Sequence, residues 1–325
     1  MSENEITIKV RGLTKHFGDF PAVNWIDFDV YRGEIFGFLG PNGSGKTTTI
    51  RMMLGLLQPT SGEVGVLGIP VNKTPELIRP RVGYMSQRFS LYNDLTVIQN
   101  MQFYGRAYGI SNSDLNTRIQ TALKMAGLEG RERTHTKDLA GGWRQRLALS
   151  VAIMHQPEVI FLDEPTAGVD PVSRREFWDL LYELVSDGVT VFVTTHYMDE
   201  AEHCHRLAFI QEGQIIAYGA PEEIKQKTMH GQVLEISPSN PADTVAILET
   251  EQQIGKLSID DVELYGSMVH VFSQDIEKQE KKIISLLSKN KIDIYHKALI
   301  DPSLEDVFIA CMREGLNKSE LENNE

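Results

Sequence analysis

Cysteine is nearly absent from this chain: Cys204 and Cys311 are the only two in 325 residues, and neither has metal-ligand spacing. That argues against a disulfide scaffold or a thiolate zinc site, and two buried or idle thiols suit a reducing compartment. Long apolar runs are missing too. The longest, such as "LALSVAIM", fall far short of the roughly eighteen residues a membrane span needs, and "MSENEITIKV" lacks the basic start and apolar core of a secretion signal. The expectation is a soluble, cytosolic chain. Basic residues are also in short supply, with 32 Lys+Arg against 45 Asp+Glu and a net charge of −13. A nucleic-acid backbone is therefore a poor main partner. The deficit is steep over residues 226–325, where 10 basic residues face 18 acidic ones, so that stretch is a poor candidate for binding DNA or anionic lipid.

What is present is an ordinary globular composition, 41% apolar and 24% charged, long enough for one large domain or a large domain with a smaller companion. Apolar strand candidates at 34–40 ("EIFGFLG"), 81–87 ("RVGYMSQ"), 158–164 ("EVIFLDE") and 190–196 ("TVFVTTH") alternate with helical periodicity in "KTTTIRMMLGLL", "PVSRREFWDLLYELV" and "YMDEAEHC". This pattern predicts parallel strands joined by crossover helices, with ligand sites at the strand C-terminal ends. Period-two alternation in "ITIKVRGLTKHF" and "AVNWIDFDVYRG" predicts an antiparallel β layer beside that sheet. Helices over "TVIQNMQFYGRAYG" and "SNSDLNTRIQTALKMAGL", the second N-capped by Ser113, fall in a helical insertion over about 88–156. A hairpin turning at Glu212-Gly213 closes the first domain, 1–228. Beyond a polar junction near 226–231, a β-α-β-β-α-β order predicts a small ferredoxin-like α+β domain over 229–325, with "NKSELENNE" as a frayed acidic end.

The chemistry begins at "GPNGSGKTT". Gly40, Pro41, Asn42, Gly43, Ser44, Gly45, Lys46, Thr47 and Thr48 fit G-x-x-x-x-G-K-[ST] between a strand and a helix. In such a loop, glycines let backbone N–H groups curl around phosphate oxygens, Lys46 neutralises the β and γ phosphates, and Thr47 offers its hydroxyl to Mg²⁺. The second element is "VIFLDE", a buried strand ending in adjacent carboxylates. Asp163 suits a Mg²⁺ partner, and Glu164 suits a base that polarises the attacking water.

With these residues the chain resembles the ATP-binding subunit of an ABC transporter over about residues 5–225, with six motifs in the family's order. The resemblance implies ATP as substrate and Mg²⁺ as cofactor. It makes Phe17 in "KHFG" the aromatic that stacks on adenine, and Gln87 in "YMSQ" the glutamine that touches Mg²⁺ and senses the membrane partner. Asp170 in "AGVD" falls in the loop linking two subunits, and His196 in "TTHYMDEAE" matches the switch histidine at the γ-phosphate. "LAGGW" matches the family signature L-S-G-G-Q with two departures. Ala140 stands where the serine hydroxyl would bond phosphate, and Trp143 stands for the glutamine. Gly141 and Gly142, at the start of a cationic, amphipathic helix, then face the nucleotide of the opposite subunit, with Arg144 and Arg146 keeping the region positive. Reduced rather than abolished turnover is the expectation.

"FYGRAYG", the W-[KR]-Q-R tail of the signature and "PSLEDVF" resemble an export subfamily whose ATPases pair with separate type-2 permeases, including multidrug and antibiotic-resistance systems. That implies a peripheral protein on the cytoplasmic face of the inner membrane, paired with transmembrane permease subunits and a second ATPase subunit, identical or different. Two other classes stay open: a non-transport ABC ATPase acting on DNA or ribosomes, disfavoured by the single phosphate loop and acidic charge, and a binding-only subunit, disfavoured by intact Lys46, Asp163, Glu164 and His196.

Overall fold

The computed structural model describes residues 5–87, 91–228, 232–273 and 275–312. The middle of the polar junction (229–231) and the acidic end (317–325) lie outside the described residues. The chain divides into two compact units, Met1–Pro221 and Glu222–Glu325.

In chain order the first unit contains β1 (Ile6–Phe17), β2 (Phe20–Tyr31), β3 (Ile35–Leu39), α1 (Lys46–Met53), β4 (Ser61–Val66), β5 (Ile69–Pro70) and β6 (Val82–Met85). It continues with α2 (Val97–Ala107), α3 (Asn112–Met125), α4 (Gly141–Ile153), β7 (Val159–Asp163), α5 (Pro171–Ser186), β8 (Thr190–Thr195), α6 (Met198–Ala201), β9 (Arg206–Gln211) and β10 (Gln214–Gly219). A six-stranded sheet runs β10-β9-β3-β8-β7-β6, and an antiparallel sheet runs β2-β1-β4-β5. Strands β9, β3, β8, β7 and β6 are mutually parallel, so Leu39, Thr195, Asp163 and Met85 all finish at one edge. That edge carries the candidate site.

Every residue of β3, β7 and β8 is buried, because each strand feeds two cores. Ile35, Ile160, Leu162, Val191 and Val193 face the core shared with α2–α5. Phe36, Phe38, Phe161 and Phe192 face the core shared with α1 and the antiparallel layer. There the phenyl rings of Phe28, Phe36 and Phe192 stack with centroids 5.6–6.0 Å apart. Burying a side chain of that size contributes about 1.5–3 kcal/mol, which fixes the strands whose ends present the chemistry.

The insertion between β6 and β7 holds α2, α3 and α4. Thr96 and Gln99 close a capping box at α2. The cap of α3 is Ser111 rather than Ser113: Ser111 has the extended backbone a cap requires and accepts from Asp114 N, while Ser113 already lies in the first turn. Helix α4 is not amphipathic either. Six consecutive residues, Leu147–Ala152, are buried, which a one-faced helix does not allow.

Helix α7 (Pro221–Thr228) spans the boundary between the units. The second unit then runs β11 (Val233–Pro238), α8 (Pro241–Gln253), β12 (Asp261–Tyr265), β13 (Met268–Phe272), α9 (Ile276–Lys289) and β14 (Ile294–Ile300). Its antiparallel sheet has the order β12-β13-β11-β14, the ferredoxin-like arrangement, and a helix over 304–312 follows.

Candidate active site

The phosphate loop turns between β3 and α1. A Cβ on Gly40 would lie 2.1 Å from Ile210 O, and one on Gly45 (φ 110°) would lie 2.5 Å from Ala22 O. Neither position admits a side chain, so the loop's glycines are imposed by the packing of β9 and β2 as well as by any ligand. Lys46 opens α1 with its side chain 4% exposed; its Nζ donates to Gly40 O (2.7 Å) and Pro41 O (3.1 Å) and lies 3.2 Å from Glu164 Oε1. Ser44 Oγ is buried without a hydrogen-bond partner.

Asp163 ends β7 one strand removed from the loop. Its Oδ2 accepts from Thr47 Oγ1 (2.9 Å), and its Oδ1 accepts from Thr194 Oγ1 on β8 (2.9 Å). Burial pushes the Asp163 carboxyl above its ordinary range, partly countered by those two hydroxyls. A buried carboxylate paired with a hydroxyl that itself lines a cleft is a hard oxygen donor set of the kind Mg²⁺ takes. Glu164 follows with φ 48°, its N–H held by Thr194 O (3.1 Å) and Thr194 Oγ1 (3.0 Å). This backbone turns its carboxylate toward three other groups. Gln87 Nε2 donates to Oε2 at 3.0 Å. His196 Nδ1 lies 3.3 Å from the same oxygen, a charge-pairing distance without hydrogen-bond alignment. Lys46 is the third. Thr194, which holds the Asp163 carboxylate and the Glu164 N–H, carries no signal in the sequence beyond its place in a buried strand.

Lys46, Thr47, Gln87 and Glu164 line a cleft of about 410 Å³ together with Phe17, Phe20, Ala22, Asn42, Gly43, Gly45 and Thr48, whereas Asp163, Thr194 and His196 are not part of that lining. Phe17 is 51% exposed, with Lys15 Nζ 5.2 Å from its ring centroid. Phe20 is 62% exposed and pairs with Phe17 across the tight turn between β1 and β2. The sequence singles out only Phe17; Phe20 could have been found from the aromatic residue on either side of the Gly18-Asp19 turn. Two exposed phenyl rings beside a polyanion seat suit a planar base.

Ala140, Gly141, Gly142 and Asp170 do not line this cleft. Ala140 is the N-cap of α4 and supplies no side-chain hydrogen bond. A Cβ on Gly141 would meet open space, whereas one on Gly142 would lie 2.5 Å from Ser173 Cβ and Oγ. Gly142 thus lets α4 pack against the first turn of α5, which Asp170 caps by accepting from Ser173 N at 3.0 Å. Those hydrogen bonds hold the Asp170 carboxyl below its usual range. Both arginines are held in place, and one of them is paired with a carboxylate. Arg144 donates to Thr136 O and Lys137 O; Arg146 pairs with Glu176 at 3.1 Å and lies 4.0 Å from the Trp143 ring, with Arg131 4.6 Å from the same ring. Trp143 is a packing residue clamped by guanidinium groups.

Residues 23–167 match the family described as ABC transporter. Among curated proteins the chain is 47% identical over 228 residues to the probable multidrug ABC transporter ATP-binding protein YbhF of Escherichia coli (strain K12), covering 70% of this chain but only 39% of that relative. It is 35% identical over 305 residues to the Nod factor export ATP-binding protein I of Rhizobium meliloti (strain 1021), covering 94% of this chain and 87% of that one. Among solved structures, cbiO1 from Clostridium perfringens, described as part of the ABC transporter complex cbiONQ, matches with a TM-score of 0.64 and 29% identity over 69% of this chain and 92% of its own. A dimeric post-hydrolysis ATP-binding cassette bound to ADP and Pi matches with a TM-score of 0.60 and 29% identity, over 66% of this chain and 98% of its own.

Proposed function

Because this chain belongs to the family of ABC transporter ATP-binding subunits, we propose that it hydrolyses ATP as one of two cassettes and so drives export through separate membrane permease subunits. The observation that carries this reading is the placement of Glu164, buried at the strand edge and held by Gln87, His196 and Lys46 beside the phosphate loop. Phe17 and Phe20 would take the adenine, the loop from Gly40 to Thr48 the phosphates, and Glu164 would orient and polarise the attacking water. His196 would meet the γ-phosphate.

Thr47, Asp163 and Gln87 would hold Mg²⁺, which when bound supplies positive charge to the phosphate oxygens. Gly141, Gly142 and the first N–H groups of α4 would face the nucleotide of the opposite subunit. The names of the multidrug and Nod factor export relatives support an exported substrate, in our reading a drug or other hydrophobic compound. No helix among the described residues is long and apolar enough to cross a membrane, in keeping with a peripheral subunit on the cytoplasmic face. Residues 1–228 would form the ATP-binding domain and 229–325 an accessory domain that regulates or stabilises the dimer.

The test is Mg-ATP hydrolysis by the full-length chain and its Glu164→Gln variant. Loss of turnover with retained ATP binding supports the assignment, and rapid turnover by the variant moves the base elsewhere. Deleting residues 230–325 without effect on dimerisation or transport would remove the regulatory role.

A further inference from the structure

Behind the cleft, one side chain ties together two segments that the motifs treat separately. Arg174, at the end of the first turn of α5, has its guanidinium 4.2 Å from the centroid of the Tyr197 ring. Its Nη1 lies 3.1 Å from Asp199 Oδ2 and its Nε 3.5 Å from Glu200 Oε1. Glu200 is 1% exposed, and its Oε1 accepts from Thr166 Oγ1 in the loop between β7 and α5. On the other side, the Tyr197 ring lies against His196, with centroids 4.2 Å apart, and His196 Nδ1 is 3.3 Å from Glu164 Oε2. Arg174 N also closes the first turn of α5 onto Asp170 O. The contacts therefore run from the Thr166–Asp170 loop through Arg174 and Tyr197 to His196 and Glu164.

The energetics favour a defined geometry over a simple surface ion pair. Burying Glu200 costs several kcal/mol unless it is partnered, and Thr166 and Arg174 are the groups that meet it, while its Oε2 has no hydrogen-bond partner. A flat guanidinium over an aromatic face fixes the ring's position as well as its charge environment. An ammonium in the same place would supply charge without the flat contact.

We propose that Arg174 is a positioning residue for hydrolysis, which sets the orientation of His196 through the Tyr197 ring and links it to the Thr166–Asp170 loop. The inference rests on the proposed ATPase reading of the cleft. Steady-state Mg-ATP turnover of the full-length chain would be compared for wild type, Arg174→Lys, Arg174→Ala, Tyr197→Ala, Tyr197→Phe, Arg174→Ala/Tyr197→Ala and Glu164→Gln, with melting temperatures for all. Arg174→Lys and Tyr197→Ala are expected to lower kcat about tenfold and to change the KM for ATP less than about twofold. Arg174→Lys keeps the positive charge beside Glu200, so its melting temperature should stay at the wild-type value. Tyr197→Phe keeps the ring and should restore most of the turnover, and the double variant should be no slower than its worse single variant. Wild-type kcat in Arg174→Lys, or effects that multiply in the double variant, would overturn the positioning role while a slow Glu164→Gln leaves the site reading intact. If wild type and Glu164→Gln turn over ATP equally, the site reading fails and the role of Arg174 falls with it.

Discussion

Lys46 Nζ lies 3.2 Å from Glu164 Oε1, with the two side chains 4% and 7% exposed. The phosphate-loop cation and the carboxylate proposed as base thus neutralise each other within the cleft. On the proposed ATPase reading, the phosphates of a nucleotide would compete with Glu164 for the ammonium, which would couple phosphate binding to the freeing of the base.

Glu164→Gln removes that competitor, so ATP should bind at least as tightly as in wild type while turnover falls by about 10²–10⁴, and an ATP-bound dimer should accumulate on size-exclusion chromatography. Lys46→Ala should behave differently, since it leaves Glu164 buried without its cation. Breaking a buried pair costs about 3–5 kcal/mol, and Gln87 still donates to Glu164, so a loss of about 2–3 kcal/mol in urea unfolding without nucleotide is expected. Lys46→Ala/Glu164→Gln should recover most of that loss.

Ala140 caps α4 without a side-chain acceptor. Ala140→Ser should add about 1 kcal/mol to unfolding stability and, if the seryl hydroxyl reaches a partner's nucleotide, raise ATP turnover measured with the membrane partner. Turnover no faster than wild type would count against a role for this residue in the opposite site. Trp143→Gln, by contrast, should cost about 2 kcal/mol by removing the ring between Arg131 and Arg146.

The two signature glycines should separate. Gly141→Ala places a methyl group in open space and should leave the melting temperature unchanged. Gly142→Ala forces a contact 2.5 Å from Ser173 Cβ and should destabilise by about 1–3 kcal/mol. A drop in turnover for Gly141→Ala at unchanged stability would isolate a ligand role for that position.

In the second unit, His270 Nδ1 lies 3.0 Å from Asp306 Oδ1 and Nε2 lies 3.3 Å from Glu235 Oε2, with the Tyr265 ring stacked on the imidazole. Burial pulls the His270 pKa down, but the two carboxylates outweigh it and leave it raised. Burial likewise pushes Asp306 up, and hydrogen bonds from His270 and Ser303 hold it below its usual value. The His270 contribution is complete below the unfolded value of about 6.5 and is lost as pH rises through the raised folded value. The Asp306 contribution is complete above about 3.9 and is lost as pH falls through the depressed folded value. Full-length protein should thus lose stability in its second unit on going from about pH 6 to pH 9. His270→Gln should flatten that slope, which calorimetry at several pH values would read.

Much of the architecture was legible because it is written locally. Short apolar runs, IFGFL, VIFL and VFV, mark β3, β7 and β8, and the glycine pattern marks the loop after β3. The antiparallel layer and the β-α-β-β-α-β order of the second unit follow from the same periodicity. Ser111 rather than Ser113 is the cap because a two-residue difference in where the backbone leaves the extended region decides which hydroxyl is in reach. Helix α4 reads as amphipathic from its arginines but is buried at every position from Leu147 to Ala152, because distant segments pack around it that its own sequence does not reveal.

The sequence by itself determined the elements and the groups that carry charge to the strand edge, because strand burial, loop glycines and terminal carboxylates are demands on neighbouring residues. Only the tertiary structure decided which of those groups meet. Thr194 reaches Asp163 from 31 residues away, Gln87 reaches Glu164 from 77, and Glu200 meets Thr166 from 34. Gly142 is small because Ser173 approaches it, and Phe20 joins Phe17 because a turn folds β2 back on β1. Such pairings depend on the packing of distant segments against shared cores, and no local pattern encodes them.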